Sequence, residues 1–454
     1  MLTKKGCVIF YFNRCHIILR IFAFYKLSDY YENKGVVSMN LNDTIFMFLC
    51  TLLVWLMTPG LSLFYGGLVQ SKNALNTVMQ SMAAIVLVTF VWITVGFTIS
   101  FGDGSLWFGN WQYTLLNHVG FATQEDISPH IPLALFMLFQ MMFCTIAISI
   151  LSGSIAEKMK FIPYLLFVVI WTALVYSPVA HWVWGGGWIN KLGVLDFAGG
   201  TVVHITSGVS GLVLAIMIGK GNKQSESTPH NLIITLIGGI FVWIGWYGFN
   251  VGSAFTFDQI AMLAFTNTVI AASAGAIGWL ILEYIFKKTT SLLGLLLGAL
   301  AGLVVITPAA GYVTYLSATI MALIGGICCY IVINYIKVKL KYHDALDAFG
   351  IHGVGGIIGA VLTAFFQSKK ANPDIDNGFI YTGDVHIMLV QILCVTAVVI
   401  FSVVMTFIIA KVIKLITPLS VTEQETNIGL DKIVHGEHAY FEGELNRFNK
   451  HIRY

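Results

Sequence analysis

The sequence predicts an all-α, polytopic membrane protein with eleven transmembrane helices, from its composition, its long apolar stretches and the charge of its loops. Hydrophobic residues make up 57% of the 454 residues and charged residues only 10%, whereas soluble domains average about 45–50% and about 25%. The formal net charge of +3 is too small to indicate a nucleic-acid partner. The chain is therefore expected to lie in a lipid bilayer.

Eleven stretches are long and apolar enough to cross a bilayer, because a helix needs about 20 apolar residues to span a core of about 30 Å. They cover residues 44–66, 77–101, 131–155, 161–183, 196–219, 231–251, 259–286, 291–311, 313–337, 345–367 and 384–415.

Positive charge alternates between the loops that join these stretches. The lysine-rich loops carry Lys72, Lys158, Lys160, Lys220, Lys223, Lys287, Lys288, Lys337, Lys339, Lys341, Lys411 and Lys414, and the others carry only Lys191, Lys369 and Lys370. Positively charged loops stay in the cytoplasm. The sequence therefore predicts a multi-pass protein of the cell membrane with its N-terminus outside and its C-terminus in the cytoplasm.

Residues 1–38 do not fit this pattern, since they place six positive charges on the predicted outer side. Their apolar run is interrupted by Arg14 and Arg20 and lacks a small-residue cleavage site. Our hypothesis is that translation starts at Met39 and that 1–38 is a non-native or disordered leader. A transmembrane domain is then expected over 39–417 and a polar cytoplasmic tail over 418–454.

Two segments share an Asp-x7-His pattern and are each followed by a glycine-rich helix. They are DFAGGTVVH, from Asp196 to His204, and DALDAFGIH, with Asp344 and His352. They lie five helices apart, so they enter the membrane from opposite faces. This predicts an inverted repeat of five plus five helices with one additional helix, an arrangement common in transporters.

The repeat also predicts that the two histidines lie close together. Eight residues of helix rise about 12 Å, so His204 and His352 approach the middle of a core of about 30 Å from opposite sides. A single buried histidine is usually a satisfied hydrogen-bond partner, but ionisable residues in spans mark ion or substrate paths. Asp196 is equally compatible with a helix cap and with a ligand contact.

No cofactor or metal site is expected, because the seven cysteines show no C-x-x-C spacing. Paired intramembrane histidines leave one alternative open, a haem-binding electron carrier. Trp182, Trp184 and Trp188 lie at one end of the fourth span, where tryptophans commonly anchor a helix at the interface. Phe139 and Phe143 are four residues apart, the usual spacing of a packing stripe.

Five motifs in order resemble the ammonium transporter family (Amt/Mep, related to Rh proteins). They read FYGGLVQSKN, AHWVWGGGWIN, LDFAGGTVVHITSG, GWYGFNVGSA and FGIHGVGGIIGA. The resemblance runs from about residue 40 to 442. It implies eleven helices in two inverted halves, a homotrimer with a pore in each subunit, and no enzymatic activity.

The resemblance also implies roles for particular residues. An outer ammonium site would use Trp184, Phe143 and Ser253, with Asp196 as its support. A phenylalanine gate would consist of Phe143 and Phe249, and His204 and His352 would be the twin histidines of the pore. Further pore-lining or vestibule positions would be Tyr176, Phe139 and Trp246.

The function expected from this resemblance is the recruitment of ammonium, its deprotonation and the conduction of ammonia, by a channel-like or an electrogenic route. The tail segment GLDKIVHGEHAY resembles the family's regulatory stretch, which implies a PII-type signalling protein as a partner. An ammonium sensor with little flux remains an alternative, although 418–454 is short for a signalling domain. A cation channel would need carbonyl or acidic rings, and no repeated filter sequence is present.

Overall fold

A computed structural model of the protein describes residues 39–219 and 229–440. The predicted leader 1–38, the loop lysines Lys220 and Lys223, and residues 441–454 of the predicted tail lie outside the described residues. Within the described ranges the chain is helical and forms no strand, only two isolated bridges.

Eleven helices in the described part of the chain are long and apolar enough to span a membrane, which confirms the predicted fold class. They are α1 (Leu41–Leu68), α2 (Ser71–Phe101), α3 (Leu133–Ile155), α4 (Phe161–Lys191), α5 (Gly200–Ile218), α6 (Leu232–Gly252), α7 (Gln259–Lys287), α8 (Leu292–Ala309), α9 (Tyr315–Leu340), α10 (Phe349–Phe366) and α11 (Val385–Ile416).

Short polar side chains begin six of these helices by accepting hydrogen bonds from backbone N–H groups of the first turn. Such caps satisfy donors that have no partner within the helix. The capping residues are Asn40, Asn231, Asp258, Ser291, Thr314 and Asp384. They explain why the apolar stretches become helices with defined starting points.

The helices that follow the two repeated aspartates, α5 and α10, both open with a π-helical turn that contains the histidine. His204 lies in the turn Gly200–Ile205 and His352 in the turn Phe349–Gly353. Turns of this kind are rare inside α-helices and are frequent at functional sites. The fifth helix starts four residues later than its predicted boundary, because Asp196 caps it from outside.

Glycines allow α5 and α10 to cross in backbone contact. A methyl group added at Gly208 would lie 2.3 Å from the backbone nitrogen of Gly353, and one added at Gly356 would lie 3.1 Å from Cβ of His204. No residue with a side chain fits at Gly208 without moving the two helices apart. This close crossing brings the two histidine-bearing turns together at the centre of the bundle.

The chain after α11 folds back against the end of the bundle that carries most of the described lysines, from here on the lysine-rich end. It forms a short helix α12 (Glu423–Ile428), which begins with a capping box. The Asp431 carboxylate accepts hydrogen bonds from the backbone of Leu75 (3.0 Å) and Asn76 (2.8 Å) in the first turns of α2. Lys160 pairs with Glu425 at 2.8 Å.

Candidate functional site

A cavity of about 620 Å³ lies at the end of the bundle opposite to the lysine-rich end. We call it the vestibule. All four residues that the sequence analysis assigned to an outer site line it, and they come from four different segments of the chain: Phe143, Trp184, Asp196 and Ser253. Asp103, Asp126 and Asn190 also line it, so its wall is polar as well as aromatic.

Three aromatic rings lead from the vestibule into the bundle. The indole of Trp184 meets the ring of Phe143 edge to face, with centroids 6.0 Å apart. Phe143 in turn stacks on Phe249, with centroids only 4.0 Å apart and an angle of 14° between the planes. Phe143 and Phe249 are fully buried, being 1% and 0% exposed. The floor of the vestibule is therefore closed by two rings in face contact.

The two histidines lie beyond the stacked rings. The centroid of His204 is 5.9 Å from that of Phe249, and its Nδ1 is 3.2 Å from Nδ1 of His352. A hydrogen bond between two Nδ1 atoms requires one to carry a proton and the other to be bare, so the neutral rings are opposite tautomers. Nε2 of His204 is buried and has no protein hydrogen-bond partner among the described residues.

Trp246 forms one wall beside both imidazoles. Its ring is nearly parallel to His204, at 5.3 Å and 20°, and to His352, at 6.4 Å and 9°. Its Nε1–H donates to Oγ1 of Thr307 at 3.0 Å, which holds the indole in place. The sequence analysis gave Trp246 only a subsidiary position, whereas in the structure it contacts both histidines.

Asp196 acts on the backbone rather than pointing freely into the vestibule. Its carboxylate accepts hydrogen bonds from the N–H groups of Gly199, Gly200, Thr201 and Val202, at 2.7–3.2 Å. The carbonyl oxygen of the same residue accepts from Nε1 of Trp184 at 2.9 Å. Asp196 therefore caps α5 and also fixes the indole that lines the vestibule.

Ser253 ends α6 at the vestibule wall. Its hydroxyl donates to the carbonyl oxygen of Phe249 at 2.9 Å, four residues back. Because the single proton is used in this bond, the lone pairs of Oγ remain able to accept a hydrogen bond from a donor in the cavity.

Phe139 and Tyr176, two of the subsidiary positions, lie behind the site. Phe139 contacts Phe143 at 4.8 Å between centroids and is fully buried. The ring of Tyr176 packs between Trp92, at 6.1 Å, and Trp171, at 6.0 Å. Neither is among the residues that line the vestibule.

The sequence analysis assigned no role to most of the other vestibule residues, among them Gln140, Phe255 and Tyr312. Gln140 had a usable signal, because it is the one amide side chain in the otherwise mostly apolar helix α3. Phe255 and Tyr312 had none, since aromatic residues are common throughout this sequence.

The geometry argues against the haem alternative. Two imidazoles that ligate one iron must face it from opposite sides, whereas here the Nδ1 atoms face each other at hydrogen-bond distance. Among the residues in 39–219 and 229–440, no three His, Cys, Asp or Glu side chains form a group that could hold a metal ion.

Eleven helices that are long and apolar enough to span a membrane define a multi-pass membrane protein. Comparisons with known proteins specify the class further. The sequence model described as Ammonium Transporter Family matches residues 45–440. The "Ammonium transporter" of Bacillus subtilis (strain 168) is 51% identical over 402 residues, which cover 88% of this chain and 99% of the relative.

Solved structures agree with this match. The crystal structure of Candida albicans Mep2 superposes with a TM-score of 0.80 at 32% identity, over 87% of this chain and 90% of that one. A structure titled "Sensor Amt Protein" superposes with a TM-score of 0.78 at 30% identity, over 86% and 97%. The chain belongs to the ammonium transporter family.

Proposed function

We propose that this protein takes up ammonium at the vestibule, removes a proton from it and conducts ammonia through the bundle. The observation that carries the proposal is the unbroken series of ring contacts Trp184–Phe143–Phe249–His204–His352, with centroids 4.0–6.0 Å apart. This series joins a polar cavity to two imidazoles. A small amine therefore finds hydrogen-bond partners on both sides of the apolar rings.

Recruitment would depend on Trp184, Phe143 and Ser253. A cation over an aromatic face gains about 0.5–2 kcal/mol, and the free lone pairs of Ser253 accept an ammonium N–H. The acidic residues Asp103 and Asp126 at the vestibule wall add a negative potential that raises the local concentration of a cation.

Passage beyond Phe143 and Phe249 favours the neutral molecule. A bare charge in an apolar environment costs many kcal/mol, whereas ammonia is uncharged and can exchange hydrogen bonds with His204 and His352. The proton has two routes, return to the outer side or transfer through the imidazoles, whose ring nitrogens can both accept and donate a proton. A current that accompanies uptake distinguishes transfer from return.

The decisive experiment measures ammonium and methylammonium uptake by purified protein in liposomes, with current recorded. We expect saturable uptake, and a decrease of at least about tenfold for His204→Ala and for His352→Ala, since each removes polar contacts in an apolar path. His386→Ala, an exposed histidine at the start of α11, is the matched control. Unchanged uptake and current in both pore variants would refute the assignment.

A second candidate function is an ammonium sensor with little flux, and the similarity to the structure titled "Sensor Amt Protein" favours considering it. The same liposomes decide between the two functions. A sensor would bind ammonium, detectable as a ligand-dependent change in tryptophan fluorescence, without measurable uptake.

The partners and orientation of the protein are extensions of this proposal. We propose a homotrimer in the cell membrane, with the lysine-rich end in the cytoplasm, because lysine-rich loops stay on that side. We also propose that a PII-type protein binds at this end, where the tail segment packs. Native mass spectrometry tests the trimer, and a pull-down with and without ATP and 2-oxoglutarate tests the partner.

A further inference from the structure

Three glutamines line the vestibule, and they differ in how their amide oxygens are used. Oε1 of Gln112 accepts from Nδ2 of Asn110 at 3.3 Å. Oε1 of Gln124 accepts from the hydroxyl of Tyr113 at 2.7 Å. Oε1 of Gln140 is buried and has no protein hydrogen-bond partner in the described ranges 39–219 and 229–440, although the residue is only 5% exposed.

An unpaired buried amide oxygen is unfavourable, because the group has lost its water without gaining another donor. Native proteins pair nearly all such groups, so an exception requires an explanation such as a bound ligand or water. Gln140 lines the vestibule, so a donor that enters this cavity can supply the missing hydrogen bond once the amide turns toward it.

Gln140 lies next to the site already described. It precedes Phe143 by three residues on α3, so the two side chains occupy one face of the helix, a turn apart. Phe143, Trp184 and Ser253 all line the same cavity. A molecule that contacts Phe143 and Ser253 from the vestibule is therefore within the region that Gln140 borders.

Ammonium supplies the hydrogen-bond donors that the amide oxygen of Gln140 lacks. It carries four N–H donors in a tetrahedral arrangement and must replace its water partners when it leaves bulk solvent. Ser253 can accept one donor, and the rings of Phe143 and Trp184 offer π faces but no lone pair. One further acceptor directed into the cavity would satisfy a second N–H.

We infer that Gln140 is an additional ammonium ligand, whose amide oxygen accepts an N–H of the cation above Phe143. This inference rests on the proposed function and adds a residue that the motifs did not supply. Gln140 contributes to the affinity of the site, whereas Phe249, His204 and His352 contribute to passage.

The test measures KM and maximal rate of methylammonium uptake in liposomes for the full-length chain and its variants. Gln140→Leu keeps the size of the side chain but removes the acceptor. We expect its KM to rise about tenfold, the effect of losing one hydrogen bond to a charged group. The maximal rate should stay within about twofold, because the path beyond Phe143 is intact. Gln140→Glu restores an acceptor and should return KM to the wild-type value or below.

Gln112→Leu is the matched control, since Gln112 lines the same vestibule with its amide oxygen already engaged. Its KM should stay within about twofold of wild type. An unchanged KM in Gln140→Leu overturns the inference, as does a reduced maximal rate with unchanged KM.

A second variant covers the case in which Gln140→Leu does not elute as a single species. In that case the inference requires that Gln140→Met raises KM and that Gln140→Glu does not. Absence of uptake by the wild type would instead refute the proposed function.

Discussion

The ionisable residues of the interior were the most predictable part of the site. Asp196, His204 and His352 stand out because charged or titratable groups are rare in spans. The rarity of a residue type could not identify Trp246 as part of the site. The sequence contains 11 tryptophans, and tryptophans in membrane proteins commonly anchor helices or fill cores. Its contact with both imidazoles depends on how α6 packs beside α5 and α10, which no local pattern encodes.

Asp196 is expected to be a structural requirement for the site. Asp196→Asn replaces one acceptor oxygen by an NH2 group that faces backbone donors, so about two of its four hydrogen bonds are lost. At about 1.5–3 kcal/mol for each bond to a charged group, the substitution should destabilise the protein by at least about 3 kcal/mol. The apparent melting temperature in detergent should fall clearly, and the fluorescence of the indole fixed by Asp196 should change.

Asp258→Asn provides the control for this prediction. Asp258 is an exposed cap of α7 that accepts from two backbone N–H groups through a single oxygen, and Asn is as good a cap as Asp. Its melting temperature should stay close to wild type. Equal melting temperatures for the two variants would show that the buried carboxylate is not needed to hold α5.

At the scale of elements, the spans were predictable and their ends less so. Hydropathy predicts α1 to α11 because each is a long apolar run. Capping residues such as Asn231 and Asp384 determine where several of these helices begin. The packing of the tail could not be predicted. Asp431 bonds to Leu75 and Asn76 across more than 350 residues, and the polar sequence of 418–440 is equally typical of a solvated tail.

The contacts of Asp431 should hold the tail against α2. Asp431→Ala removes the acceptor for two backbone N–H groups, which should cost about 2 kcal/mol or more of docking free energy. Hydrogen exchange of the segment 423–435, followed by mass spectrometry, should then be at least about tenfold faster than in wild type. Glu423→Ala, an exposed position at the start of α12, is the control, and equal exchange in all three proteins would contradict the docking role.

The ion pair between Lys160 and Glu425 adds a pH dependence. Burial alone would raise the pKa of Glu425, but hydrogen bonds from Lys160 and Thr422 outweigh burial and hold this pKa below its usual 4.5. A carboxyl whose pKa falls on docking stabilises the docked tail above about pH 4.5 and loses that effect as pH falls through the lower value. The pair is partly exposed, so the contribution is at most about 1 kcal/mol.

Comparison of wild type with Glu425→Gln isolates this effect. Between pH 7 and pH 4, protection of 423–435 should fall about two- to fivefold more in wild type than in the variant, after correction for intrinsic exchange. Asp431, whose pKa burial raises, titrates equally in both proteins. Identical pH profiles would mean that the ion pair does not contribute.

For the whole molecule, the alternating loop charges predict which end faces the cytoplasm. In a chain without its native cysteines, we expect Asp374→Cys to react with a membrane-impermeant maleimide in intact cells and Lys339→Cys to react only after lysis. Both positions are exposed, so a difference reports sidedness rather than burial. The reverse labelling pattern would show that the vestibule opens to the cytoplasm.

The stacked rings of Phe143 and Phe249 have a consequence for speed. Rings whose centroids are 4.0 Å apart leave no space between them for even one small molecule, so on the proposed path the resting protein is sealed. Each ammonia molecule can then pass only when the ring of Phe143 or Phe249 rotates, and the tightly packed side chains around the rings oppose this rotation. Throughput would be set by how often a side chain turns rather than by diffusion along an open channel, and it should rise with temperature more steeply than diffusion in water.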